Sequence, residues 1–262
     1  MRLFRQFLTD NDCVRIGKPL RPSGVMVHST GADNPALSRY VPGDERIGHN
    51  QTGNHWNQSN AAWRKKFGTP LNKCVHAFVG KTADGSVAAV QTMPWDMRAW
   101  HAGRSKGNNQ YIGFEICEDG LDDSDYFAAV YRAAVELTAY LCKLNGWDPL
   151  ADGVVICHAE GYRRGVASNH GDVLHWFPRH GKTMDDFRAD VARELEGGED
   201  VTQEQFDAFL ENWLQRQAEQ PVSGWAVQLL ERAKEQGITD GTRPQSFATR
   251  QEVAIMVAAG RS

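Results

Sequence analysis

No stretch of the 262-residue chain approaches the roughly 20 apolar residues that a membrane-spanning helix needs, so no membrane insertion is expected. Basic residues are not in excess: 29 Lys and Arg stand against 33 Asp and Glu, a formal net charge of −4. No basic patch or stripe stands out of the kind that tracks a phosphate backbone, and no nucleic-acid partner is expected. Cysteine is scarce, with five residues at Cys13, Cys74, Cys117, Cys142 and Cys157. The number is odd and none pair as CxxC, which argues against a disulfide framework. Cys117 and Cys157 lie within apolar runs and read as small buried hydrophobes. All five are expected to be reduced thiols. The start of the chain, MRLFRQFLTDNDC, carries polar residues throughout and lacks the apolar core of a signal peptide. Synthesis in the cytoplasm is the corresponding expectation.

What is present is an ordinary globular composition, 41% apolar and 24% charged. Residues 24–29 (GVMVHS) form a short apolar run that reads as a buried strand ending at His28. A polar, Gly- and Asn-rich stretch follows from 30 to 60, a length at which loops in compact domains are often functional. Residues 74–80 (CVHAFVG) and 86–91 read as a hairpin around Thr82-Ala83-Asp84-Gly85. Residues 111–117 and 154–158 read as two further core strands, and 127–144 as a helix stopped by Asn145-Gly146. An amphipathic helix is expected over 184–195. The alternation points to an α/β domain with a single mixed central sheet flanked by helices, over residues 1–197. Gly197-Gly198-Glu199-Asp200 marks a boundary. Residues 198–222 then read as a linker with a short helix, and 223–262 as a small all-α C-terminal module.

His28 and His158 each close an expected strand, where side chains from neighbouring strands converge. A loop beyond carries Ser168-Asn169-His170-Gly171-Asp172-Val173-Leu174-His175. A catalytic zinc takes three protein ligands and keeps a fourth position open, which two strand-end histidines and one loop residue can supply. Each histidine alone reads more readily as a hydrogen-bonded structural residue. Glu115 lies among Ile112, Phe114 and Ile116. On a central strand its carboxylate is costly without a role or partner, and beside a metal it suits a general base. On an edge strand it would simply face solvent.

Several segments together resemble the zinc amidase family that includes phage lysins, bacterial autolysins and peptidoglycan-recognition proteins. They are MVHST, CVHAFVG, AWHAGR, NNQYIGFEICED and ICHAEGYRRGVASNHGDVLHWFP, in that order between about Arg21 and Leu195. The resemblance implies Zn2+ held by His28, His158 and Asp172, with Glu115 as base and His170 as the catalytic cation. His175 stays a rival for the third ligand, since histidine serves zinc equally well, and the segment departs from the family in having Val173-Leu174 where a Pro-Gly pair often follows the ligand. It also implies substrate contacts from His76, Trp100, His101 and His55. A core role for His76, packing for Trp100 and surface positions for His49, His55 and Trp56 are the plain readings. The implied activity is hydrolysis of the amide between N-acetylmuramic acid and the L-alanine of the stem peptide.

Residues 225–260 resemble one surface-layer-homology repeat, on Trp225-Ala226, the segment GITDG (237–241) and the segment ATRQEVA (248–254). That implies binding to cell-wall polymers, beside the plain reading of a stabilising helical pair. The whole suggests a phage or prophage endolysin that is made in the bacterial host cytoplasm and acts on the wall after release. A non-catalytic peptidoglycan-recognition module and a zinc endopeptidase cutting within the stem peptide are the competing readings.

Overall fold

A computed structural model of the protein describes residues 1–197 and 203–259. The chain divides into two compact units, residues 1–198 and 199–262. The first is built on six strands: β1 (Leu3–Arg5), β2 (Gly24–Ser29), β3 (Ala77–Lys81), β4 (Val87–Gln91), β5 (Tyr111–Ile116) and β6 (Val155–Cys157). They lie in the order β1-β4-β3-β5-β2-β6. Only β3 and β4 pair antiparallel; every other neighbour is parallel. The expected mixed sheet is therefore observed.

All six residues of β2 are buried, as suits a parallel strand covered on both faces. Six helices accompany the sheet: α1 (Asp12–Ile16), α2 (Asn60–Phe67), α3 (Ser105–Asn108), α4 (Ser124–Asn145), α5 (His158–Arg163) and α6 (Met184–Gly197). The long α4 starts where the Asp123 carboxylate accepts from the Tyr126 amide, and it stops at Gly146 with φ 68°. Phe127, Val130, Ala134, Leu137 and Leu141 repeat at helical spacing and join the main core with Val25, Val27, Ile112 and Phe114. Phe177, Phe187 and Val191 extend that core towards α6.

Parallel pairing sets the site. His28 sits opposite Glu115, and Val27 opposite Cys157, so the carboxyl ends of β2, β5 and β6 coincide. Ligand sites of open α/β sheets collect at such ends.

Two boundaries differ from the sequence expectation. The strand expected over 74–80 begins only at Ala77, because Cys74 forms an isolated bridge with Trp100 instead. His158 does not end a strand; it is the first residue of α5, directly after β6. The expected boundary at 197–200 lies, beyond Gly197, outside the described residues.

The second unit contains α7 (Gln203–Ala218), α8 (Val227–Glu235) and α9 (Arg250–Ala259). Trp213 packs on Phe247 with ring centroids 5.7 Å apart, and the Gln245 amide donates to Ser223 and to the Pro221 carbonyl. The expected helix–turn–helix over 225–260 corresponds to α8 and α9; Gly260 itself lies outside the described residues. No helix among the described residues is long and apolar enough to cross a membrane.

Candidate metal centre and cleft

His28, His158 and Asp172 meet at the sheet's carboxyl edge. The Nδ1 atoms of the two histidines are 3.1 Å apart. The Asp172 carboxylate brings Oδ1 to 3.5 Å from His28 Nδ1 and Oδ2 to 3.1 Å from His158 Nδ1. This is the one cluster of metal-ligating type among the described residues. Ligands about 2.0–2.1 Å from a common tetrahedral centre lie about 3.3 Å from one another, and these separations straddle that value. Asp172 Oδ2, though close to His158, has no properly directed hydrogen bond and is buried. Asp172 also takes φ 45°, a left-handed conformation that aspartate tolerates better than most residues.

The hydrogen bonds around His28 fix which nitrogen faces the cluster. The Tyr111 carbonyl can only accept, so His101 Nε2, 3.1 Å away, carries a proton. His101 is half-buried, and desolvation first, then His28 and His76, hold its pKa well below the usual value, so the ring is neutral. Its Nδ1 is thus an acceptor and receives His28 Nε2–H at 2.8 Å. Neutral His28 then presents a bare Nδ1 to His158 and Asp172; burial lowers its pKa as well. Two ring nitrogens and a carboxylate so arranged call for a positive charge between them. A proton shared from His158 or a metal cation meets that need, and the orphaned Asp172 oxygen suits the cation.

Glu115 stands beside this cluster. Its Oε2 is buried without a partner. Desolvation, then the negative charge of Asp172, pushes its pKa to about 8, against an opposing pull from Lys73. A carboxyl poised there can hold or release a proton near neutrality. His170 is exposed at the mouth, its Nδ1 3.0 Å from Ser168 Oγ, and Ser168 also meets His158 Nε2 at 3.1 Å. These groups line a cleft of about 340 Å³ together with Trp56, Trp100 and His101.

Three of the candidate residues lie away from the cleft lining. His76 is fully buried and does not line the cleft. Its Nε2 donates to the Met97 carbonyl at 2.8 Å and its Nδ1 accepts from the Gly113 amide at 3.0 Å, so it braces strands rather than meeting substrate. His55 lies outside the cleft lining, with Nδ1 accepting from the Asn57 amide, and its neighbour Trp56 lines the cleft instead. His175, the rival ligand, points at Glu118, 3.0 Å away. His101 and Trp100 do line the cleft, His101 through the relay to His28. Lys73, an isolated loop residue without a spacing signal, was not singled out in the sequence, and Ser168 was given no role although it opens the candidate loop. Nor was Asn108, whose buried Oδ1 accepts from the amides of His101 and Ala102 and fixes that loop, singled out.

Residues 18–175 match the family profile described as N-acetylmuramoyl-L-alanine amidase. No curated protein sequence matches the chain significantly. Among solved structures, the Staphylococcus aureus hydrolase AmiA in complex with its ligand is similar at 18% identity and a TM-score of 0.53, over 74% of this chain and 83% of that one. The PlyG catalytic domain is similar at 19% identity and a TM-score of 0.49, over 74% of this chain and 96% of that one. The likeness to AmiA shows the same fold.

Proposed function

The chain belongs to the N-acetylmuramoyl-L-alanine amidase family, and on that premise we propose that it is a zinc-dependent peptidoglycan hydrolase that cuts between N-acetylmuramic acid and the L-alanine of the stem peptide. The observation that carries this reading is the convergence of His28 Nδ1, His158 Nδ1 and the Asp172 carboxylate beside an unpartnered Glu115 oxygen. His28, His158 and Asp172 would hold the ion, a donor set of imidazole and carboxylate that suits zinc. When bound, zinc supplies a Lewis acid that polarises a carbonyl and acidifies water.

The chain's own groups do the remaining work. Glu115 takes a proton from the attacking water and returns it to the departing amine of the alanine. His170, at the cleft mouth, carries its positive charge towards the oxygen that becomes negative in the tetrahedral intermediate. The His101–His28 hydrogen bond keeps the ligand nitrogen bare. Trp100, half-buried, borders the cleft where the sugar would lie.

The second unit supports a role in holding the enzyme on wall polymers, because Trp225 and Phe247 are largely exposed in it. Together the two units fit a phage or prophage lysin.

The test is clearing of purified walls with chelator and zinc add-back, followed by mass analysis of the digest. New alanine amino termini paired with lactyl carboxylates are expected, only with zinc. New termini within the stem peptide would make the chain an endopeptidase, and sedimentation with walls that never clear would make it a binding module.

A further inference from the structure

A second cavity, of about 380 Å³, adjoins the cleft and shares Asn72, Lys73 and Trp100 with it. Its far wall is α1. Asn11 ties that helix down: its amide donates to the Trp56 and Lys73 carbonyls, and its Oδ1 accepts from the Cys13 amide. This wall lies before the 18–175 span that matches the family.

Three cations border the cavity: Lys18, Lys73 and Arg98. None has a carboxylate within ion-pairing distance among the described residues, whereas Arg46, Arg164, Arg179, Arg188 and Arg193 all do. The acidic residue in the lining, Asp12, already accepts from the Asn60 amide at 2.9 Å. Lys73 lies 4.5 Å from the Trp56 ring centroid and Arg98 5.0 Å from that of Trp100, so aromatic faces hold both cations at the junction with the cleft. Arg98 Nε is buried and has no acceptor. A buried guanidinium N–H without a partner is destabilising, and a bound acceptor would satisfy it.

The chemistry of the proposed substrate selects what enters. On one side of the scissile amide stands an N-acetylated sugar without charge. On the other stands a peptide, which carries at least its terminal carboxylate. Resting on the amidase reading, we propose that this cavity is a subsite for a carboxylate of the peptide arm. Arg98 is its principal partner, with Lys18 and Lys73 flanking, while Ile16, Leu71 and Ala99 receive the aliphatic part of the peptide. Guanidinium and carboxylate match in planar geometry, which makes arginine the discriminating residue.

The experiment uses the zinc-loaded full chain and two soluble muramoyl peptides, one with free carboxylates and one with them amidated. Wild type is expected to prefer the free form at least tenfold in kcat/KM, the difference residing in KM. In Arg98→Met that preference falls to about one; Arg98→Lys recovers part of it, and Lys18→Met loses about threefold. A thermal melt checks that each variant is folded. Equal effects of Arg98→Met on both substrates, or a preference that survives it, would overturn the subsite. So would a peptide-free glycan that competes in wild type and loses affinity in Arg98→Met, since the cavity would then hold sugar. Failure of the amidase reading shows separately, as no new alanine terminus from either substrate. In that event, calorimetric binding of the two peptides to wild type and Arg98→Met still decides the subsite.

Discussion

Glu115 shares its register position with His28 on the adjacent strand, which puts a carboxyl beside the ligand cluster rather than on a solvated edge. Its pKa of about 8 lies above the ordinary 4.5. The folded, metal-free protein therefore takes up a proton that the unfolded chain has lost across that interval. The stability this contributes is complete below about 4.5 and lost as pH rises through about 8. Glu115→Gln does not titrate, so the metal-free variant should gain on wild type from about pH 5 and stop gaining above about 8. The gain should stay below about 1.4 kcal/mol per pH unit, since the carboxyl still meets cleft water. Thermal melts between pH 5 and 9 read this, and a gap that stays constant with pH would remove the buried-carboxyl assignment. A second prediction concerns His101. His101→Phe removes the acceptor for His28 Nε2–H and should weaken zinc binding about 10–100-fold in a chelator competition. His101→Asn, which restores an acceptor, should recover much of it. Gly113→Ala should act like His101→Phe, because a Cβ there would meet the His101 ring at 2.4 Å. Equal affinities across this set would mean the relay does not orient the ligand. His28, His158 and Asp172 stood out because each lies in a segment that resembles the family. The relay did not, since nothing in the spacing of His28, His101 and Tyr111 says that their polar atoms meet.

The short helix α5 carries His158 as its first residue and has little core of its own to hold it. Glu160 accepts from the Cys157 amide at 3.0 Å, closing the start of α5. Arg188 of α6 pairs with the same carboxylate at 3.1 Å and donates to the Val155 carbonyl at 2.9 Å. The ligand is thus tied to a helix thirty residues downstream. Glu160→Ala should cost about 1–3 kcal/mol of stability, as both an amide and a guanidinium lose an acceptor. It should also lower zinc affinity, whereas an exposed pair such as Arg179–Asp122 should change neither measurably. Unaltered zinc affinity in Glu160→Ala would show that α5 is positioned by other contacts. At this scale the sequence reveals the elements with a clear apolar run or period, the three-residue β6 among them, and hides most of the short ones. β2, β5, α4 and α6 carry enough apolar residues to show a period. β1 has three residues, α3 four and α1 five, too few for any period to register, and α5 continues directly from a strand without a punctuating residue.

The three proposed ligands, Glu115 and the cleft all fall within residues 1–198, while α7, α8 and α9 belong to the other compact unit. Zinc binding should therefore stabilise one unit and leave the other untouched. The proposed ligands come from β2, from α5 and from the position before Val173, which lie far apart in sequence, so the unfolded chain offers no comparable site. At free zinc near a thousandfold above the dissociation constant, the linkage contributes about 4.1 kcal/mol. For a domain of this size about 1 kcal/mol moves the melting temperature by about 2–4 °C, giving an expected shift of about 8–16 °C. Calorimetry of the full chain, with chelator and then with zinc restored, should show that shift in the main transition only. Asp172→Ala should abolish it. A shift that persists in Asp172→Ala would put the ion elsewhere in the chain, and a shift in every transition would mean that the two units unfold as one.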